Sequence, residues 1–351
     1  MENKHQVITE RQGNRFFILE TFSASALFLP QVVLGKNAES GILSVAGACF
    51  LAGIYFLITE KMTRGISMEQ MLKGHPLAAV FYYMHFWING VFFYIYILFM
   101  VSRYLLPGRK PWFAGVLLMI LAWMINRSGL RGRGRVMEGI FWFVLLPVIF
   151  VLLLSLTDLS LGELSVTTFS WNHFVNGMIG AVALLHPMEL AWFYRGNINQ
   201  GNMRVSSFLG LGILLMGIFC AVTGSLGRKM ILYDENPVMS MAQGAAMPGG
   251  LMARLDIFLI AFWIVGVFCV FSGYLFYGNE SIRNTFQNGG KIAAWLSYGG
   301  ILFMTDFLFD LYPLFQKYFL WFIYGNLIIG MIFPLVLFLS RRRRKKNEIY
   351  S

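Results

Sequence analysis

The stretch A-L-L-H-P-M-E-L-A-W, residues 183–192, places a helix breaker between two ionisable side chains inside an apolar run from Phe174 to Phe193. The run is about 20 residues long, the length a helix needs to cross a bilayer. His186, Pro187 and Glu189 are costly in such a place. Proline removes a backbone donor and clashes with the preceding turn. Ionisable groups within a membrane usually face a cavity or each other. A spanning helix interrupted here therefore reads as two half-helices around a polar site.

A second interruption supports that reading. The first apolar block runs E-T-F-S-A-S-A-L-F-L-P, Glu20 to Pro30, with Ser23, Ala24 and Ser25 ahead of Pro30. Apolar blocks at approximately 16–34, 40–58, 77–106, 111–126, 136–157, 174–193, 205–225, 255–278, 291–309 and 319–340 give ten spanning candidates. The two interrupted blocks are then the first of each half of five. Interrupted helices in corresponding positions point to an inverted-repeat transporter architecture. The expected fold is an all-α membrane protein of ten transmembrane helices, a LeuT-like 5+5 inverted repeat with helices 1 and 6 broken. It forms one domain over residues 1–351, with residues 341–351 as a basic tail.

Composition agrees with this class. Of 351 residues, 57% are hydrophobic and 13% charged, against a charged share of about 25% in soluble domains. With the N-terminus cytoplasmic, the leader, the inside links and the R-R-R-R-K-K tail carry 20 of the 28 Lys and Arg. That asymmetry sets both termini in the cytoplasm. The net charge of +11 then meets anionic lipid headgroups. No nucleic-acid motif accompanies it, so no nucleic-acid partner is expected. No cleavable leader is visible before the first block. Cys49, Cys220 and Cys269 match no metal spacing and read as buried free thiols.

Walker, dinucleotide, zinc and nucleophile-elbow motifs are absent, so nothing argues for an enzyme, a cofactor or a metal. Arg131-Gly132-Arg133-Gly134 reads as a flexible inside loop. Glu20 either reaches the membrane interface or serves the site. His85 and Asn89 share one helix face at i, i+4 and form a pocket wall or interhelical packing. The expected ligand contacts are Ser23, Ala24 and Ser25, then Ala183, Leu185 and His186, with His85 and Asn89 as a wall and Cys269 from the eighth block. Carbonyls freed before Pro187 and amides after it would meet the ligand. Pro30, Pro187 and Glu189 serve coupling or structure. Arg254 and Asp256 mark the start of the eighth block, two residues apart and so pointing to different sides.

Four stretches carry a resemblance: F-S-A-S-A-L-F-L-P at 22–30, P-M-E-L at 187–190, N-P-V-M-S-M at 236–241 with G-G-L-M-A-R-L-D-I-F at 249–258, and the short basic C-terminus. The chain resembles the B-subunit permease family of bacterial spore germinant receptors, within the amino acid–polyamine–organocation superfamily. It departs from that pattern at Ser23-Ala24-Ser25 and at Pro187, where relatives often carry glycine, which bears on pocket size. The resemblance implies a small-molecule germinant, often an amino acid. It also implies partnership with a membrane-embedded A subunit and a C-subunit lipoprotein in the spore inner membrane. The alternatives are a proton- or sodium-coupled amino-acid permease, and a scaffold that binds nothing.

Overall fold

The computed structural model describes residues 7–35, 40–63, 68–72, 75–166, 168–199, 202–244, 255–283, 285–286 and 289–339. Arg254, the end of the 227–248 loop and the tail 341–351 lie outside the described residues, and Asp256 is described in its backbone alone. Among the described residues thirteen main helical segments, beside short helices such as Met68–Leu72, Arg228–Tyr233 and Pro237–Gly244, organise the bundle: α1 Glu10–Ser25, α2 Leu29–Leu34, α3 Gly41–Met62, α4 Pro76–Leu105, α5 Pro111–Arg127, α6 Gly129–Ser155, α7 Trp171–Leu184, α8 His186–Asn197, α9 Val205–Leu226, α10 Leu255–Arg283, α11 Gly289–Phe303, α12 Thr305–Lys317 and α13 Phe319–Leu339. Among the described residues extended pairing is limited to one isolated bridge, Ile8 with Ile198.

Local chemistry fixes the ends. Thr9 caps α1 in a capping box, its hydroxyl accepting from the Gln12 amide at 3.2 Å while the Gln12 side chain accepts from the Thr9 amide at 3.1 Å, which satisfies two otherwise orphaned donors. Pro76 and Pro111 open α4 and α5, where the missing N–H costs nothing. A tight turn through Gly129, at φ 70°, joins α5 to α6, a conformation that needs glycine. The run Arg131 to Gly134, expected as a loop, is helical in the first turns of α6.

Among the described residues six helices are long and apolar enough to cross a membrane, and up to eight spans result if the bent pairs α7–α8 (42°) and α11–α12 (68°) each count once. The chain is therefore an integral membrane protein. Ten spans do not follow from length and apolarity. α1 has 16 residues and a polar first half, and α5 has 17 residues. Large apolar side chains such as Phe50, Ile213, Trp295, Phe303 and Trp321 point outward, the arrangement lipid tails favour.

The centre of the bundle is α4 packed along α10. Their apolar windows are 72% and 67% buried, against 33% for α3 and α6, so these two helices are the ones enclosed by protein. α1 lies against α10, α6 and α9, and α3 against α7. Of the cysteines, Cys269 is buried, whereas Cys49 and Cys220 are half-buried, and all three are free.

Candidate ligand-binding site

The two breaks meet. α1 ends at Ser25, and a three-residue turn leads into α2, where Pro30 is the second residue. The interruption thus falls at the small residues, with the proline inside the following half-helix. Ser25 donates its hydroxyl to the Leu184 carbonyl at 2.7 Å. Leu184 is the last residue of α7. His186 Nδ1 lies 3.0 Å from the Ala183 carbonyl; a carbonyl only accepts, so this nitrogen carries the proton. The Leu185 carbonyl accepts from the Met188 amide at 3.0 Å. The three carbonyls around Pro187 are thus taken by the protein itself. Buried carbonyls without partners are costly, and here two side chains and one backbone amide supply the donors.

A polar network runs from this junction through four helices. His186 Nε2 faces the Asn326 amide of α13 at 3.5 Å. Asn326 and Asn89 exchange amide hydrogen bonds at 3.1 and 2.8 Å. Asn89 also donates to the His85 carbonyl at 3.0 Å. His85 Nε2 stands 2.7 Å from Glu189 Oε2, and Tyr274 of α10 donates to Glu189 Oε1 at 2.9 Å. Every member is buried. Satisfied networks of this kind fix one arrangement of the helices that carry them.

The backbone of α13 makes room for the carboxylate. A Cβ on Gly330 would lie 2.1 Å from Glu189 Oε2 and 2.7 Å from its Cδ. Gly330 sits in a π-helical turn, Leu327–Ile332, a distortion that recurs at functional sites. Gly330→Ala is expected to drive Glu189 off His85 and Tyr274. Tyrosine fluorescence and hydrogen exchange at α13 should change, and a variant indistinguishable from wild type in both would refute the close approach.

A second buried cluster lies on the other side of α10. Arg133 of α6 is fully buried and donates to Glu20 Oε1 at 2.9 Å, Asn126 Oδ1 at 3.0 Å, Ser272 Oγ at 2.8 Å and the Cys269 carbonyl at 3.4 Å. Its guanidinium lies over Phe16, Phe276 and Tyr277 at 5.5 to 5.8 Å, a stabilising cation–π setting. Gly273 admits the pair, since a Cβ there would meet Glu20 Oε1 at 2.9 Å and the Arg133 guanidinium at 3.1 Å.

Beyond the breaks, at the end of the bundle opposite the α1 N-terminus, lies a cavity of about 330 Å³ between α2, α4, the link 232–236 and α12–α13. Phe28, Phe92 and Phe319 line it. Phe322 joins these rings to the network, with its centroid 4.7 Å from that of Phe92 and 6.3 Å from that of His186. An aromatic partition therefore separates cavity from network.

The expected site residues fall into three groups. Ser25, Ala183, Leu185, His186 and Pro187 form the junction of the breaks, and His85, Asn89 and Glu189 continue from it as one network. Ser23 and Ala24 are buried on the last turn of α1; Ser23 packs against α10, where a Cβ on Gly266 would stand 2.3 Å from its hydroxyl. Cys269 contributes its carbonyl to Arg133, away from the network. Glu20 pairs within the protein rather than reaching an interface. Tyr274, Asn326, Gly330 and Arg133 were not singled out by sequence. The glycines on both sides of Arg133, and Gly273 and Gly330 within apolar helices, were the available signals of close approach.

A family model described as spore germination protein matches residues 8–312 of the chain. No curated protein matches it.

Proposed function

The chain belongs to the spore germination permease family, and from that premise we propose that it is the B subunit of a spore germinant receptor. In this reading it binds a small germinant, an amino acid by family precedent, at the junction of two broken helices. It lies in the lipid bilayer of the spore inner membrane with both termini cytoplasmic. The architecture is ten spans in two inverted repeats, α1–α2 and α7–α8 being the broken pair. The signal passes to an A-subunit membrane protein and a C-subunit lipoprotein.

The single observation that carries this reading is the Ser25 hydroxyl on the Leu184 carbonyl. It closes one break upon the other and makes their relative position one switchable contact. A ligand that competes for these groups favours a different packing, and only a difference in affinity between two packings can shift their populations. The adjoining network carries the change to α4, α10 and α13.

The test is a gene deletion in the sporulating host, scored by dipicolinate release against amino acids, sugars and nucleosides. Complementation uses wild type, Ser25→Ala and Ser25→Leu, with protein levels matched. Ser25→Ala removes one hydrogen bond, worth about 1 kcal/mol, and should shift the germinant concentration for half-maximal response about fivefold. Ser25→Leu fills a site of no exposure and should abolish the response to one ligand class. A Ser25→Leu strain that answers every ligand like wild type would remove the break junction from the mechanism.

The His85–Glu189 contact favours a second reading, a proton-coupled amino-acid permease. Gradient-driven uptake by this chain alone, lost in Glu189→Gln, would support it.

A further inference from the structure

The cavity beyond the aromatic partition has a chemistry of its own. At about 330 Å³ it falls within the size of small-ligand sites. Half of its wall is aromatic: Phe28 stands 4.9 Å from Tyr96 and 4.7 Å from Phe319, centroid to centroid. Its charged lining residues are Asp234 and Glu235, and among the described residues no Lys or Arg lines it. Asp234 is already engaged, its carboxylate accepting from the Asn236 amide at 2.9 Å and its carbonyl from the Gln31 side chain. Among the described residues Glu235 forms an ion pair with Arg103 alone, at 3.5 Å, with both side chains more than half exposed. Such a pair is weak and readily exchanged. Tyr96 is 1% exposed, and its hydroxyl has no hydrogen-bond partner among the described residues. A buried hydroxyl in that state carries an unpaid desolvation penalty.

We propose that this cavity is a binding site for a compact organic ammonium group, whose cation meets the aromatic faces and the Glu235 carboxylate while an N–H satisfies the Tyr96 hydroxyl oxygen. Aromatic walls with a carboxylate attract a cation, whereas a carboxylate ligand finds like charge and no basic lining residue. The site is distinct from the break junction and lies on the approach to it. Gln31 ties the cavity wall to α2, so occupancy bears on the half-helix that follows the first break. The site takes its purpose from the germinant reading, but its ligand chemistry does not depend on that reading.

The experiment uses the full chain in lipid nanodiscs at fixed pH and ionic strength. Its thermal midpoint is titrated with ethylamine, alanine, propionate and sodium chloride. Ethylamine should raise the midpoint, alanine should do so less at this cavity because its carboxylate meets Asp234 and Glu235, and propionate should match sodium chloride. Tyr96→Phe and Glu235→Gln should each weaken the ethylamine effect about tenfold, and Tyr96→Phe, which removes the unpartnered hydroxyl, should not lower the ligand-free midpoint. Glu235 is exposed, so its variant keeps the test informative if Tyr96→Phe does not fold. Propionate acting as well as ethylamine, no shift with either ammonium compound, or an ethylamine effect that both variants leave intact would each overturn the proposal. If binding fails while gene deletion still removes a germinant response, the cavity assignment falls and the receptor reading stands. If binding holds while deletion leaves every response intact, the reverse follows.

Discussion

Arg133→Met is expected to lose most of its folded protein. The substitution leaves the Glu20 carboxylate buried with its cation gone, and among the described residues Glu20 Oε2 already lacks a hydrogen-bond partner. Removing one member of a buried ion pair costs about 3–5 kcal/mol, a large part of the 5–15 kcal/mol or so that holds a typical domain together. Asn126 and Ser272 lose a donor at the same time. The double variant Glu20→Leu with Arg133→Met should recover, because replacing both charges with apolar groups is often neutral or better. Immunoblots of membrane fractions and thermal unfolding in detergent would read both. A single variant as abundant and as stable as wild type would show that Arg133 is not the partner that lets Glu20 stay buried.

Glu189→Leu should be the second most damaging change. It strips the partner from His85 Nε2 and from the Tyr274 hydroxyl, at about 1–3 kcal/mol for each buried group left without one. Glu189→Gln keeps an acceptor for Tyr274 and a polar atom for His85 in the same volume, and should hold stability within about 1 kcal/mol of wild type. Denaturation midpoints of the three proteins give the order directly. Equal midpoints for the leucine and glutamine variants would mean the network does not depend on this carboxylate. Loss of germinant response in the glutamine variant, with stability kept, would assign the charge itself to signalling.

Single helices were legible in sequence wherever a stretch carried its own signal. The block expected at 205–225 is the helix Val205–Leu226, because apolar length and a terminating glycine are both local. Pro187 marked the 42° bend because proline breaks helices on either side of a membrane boundary alike. The first break was legible in place but not in form, since the chain turns at Ser25 and sets Pro30 inside the next half-helix. The 68° bend before Thr305 has neither proline nor glycine at Met304 and gave no warning. The deepest miss was Arg133. A run of arginines and glycines resembles a solvated loop, and burial of one arginine depends on a carboxylate 113 residues away that spacing cannot reveal. Tyr274 and Asn326 were invisible for the same reason. One polar residue in an apolar helix says little until the residue facing it is known.

The distance in chain between Glu20 and Arg133 also sets an order of biogenesis. At about 5–20 residues per second, a ribosome delivers Arg133 about 6–20 s after Glu20. Through that interval the first segment has a polar first half and a carboxylate without its cation, and an ionisable group inside a bilayer without a partner is costly. The first helix to be synthesised is thus among the last to be secured. It gains its partner when α6 emerges, and Arg133's own bonds to Ser272 and the Cys269 carbonyl, with the close approach of Gly273 to Glu20, form only when α10 arrives later still. The ion pair that buries Glu20 is thus one that no partial chain ending before Arg133 can form.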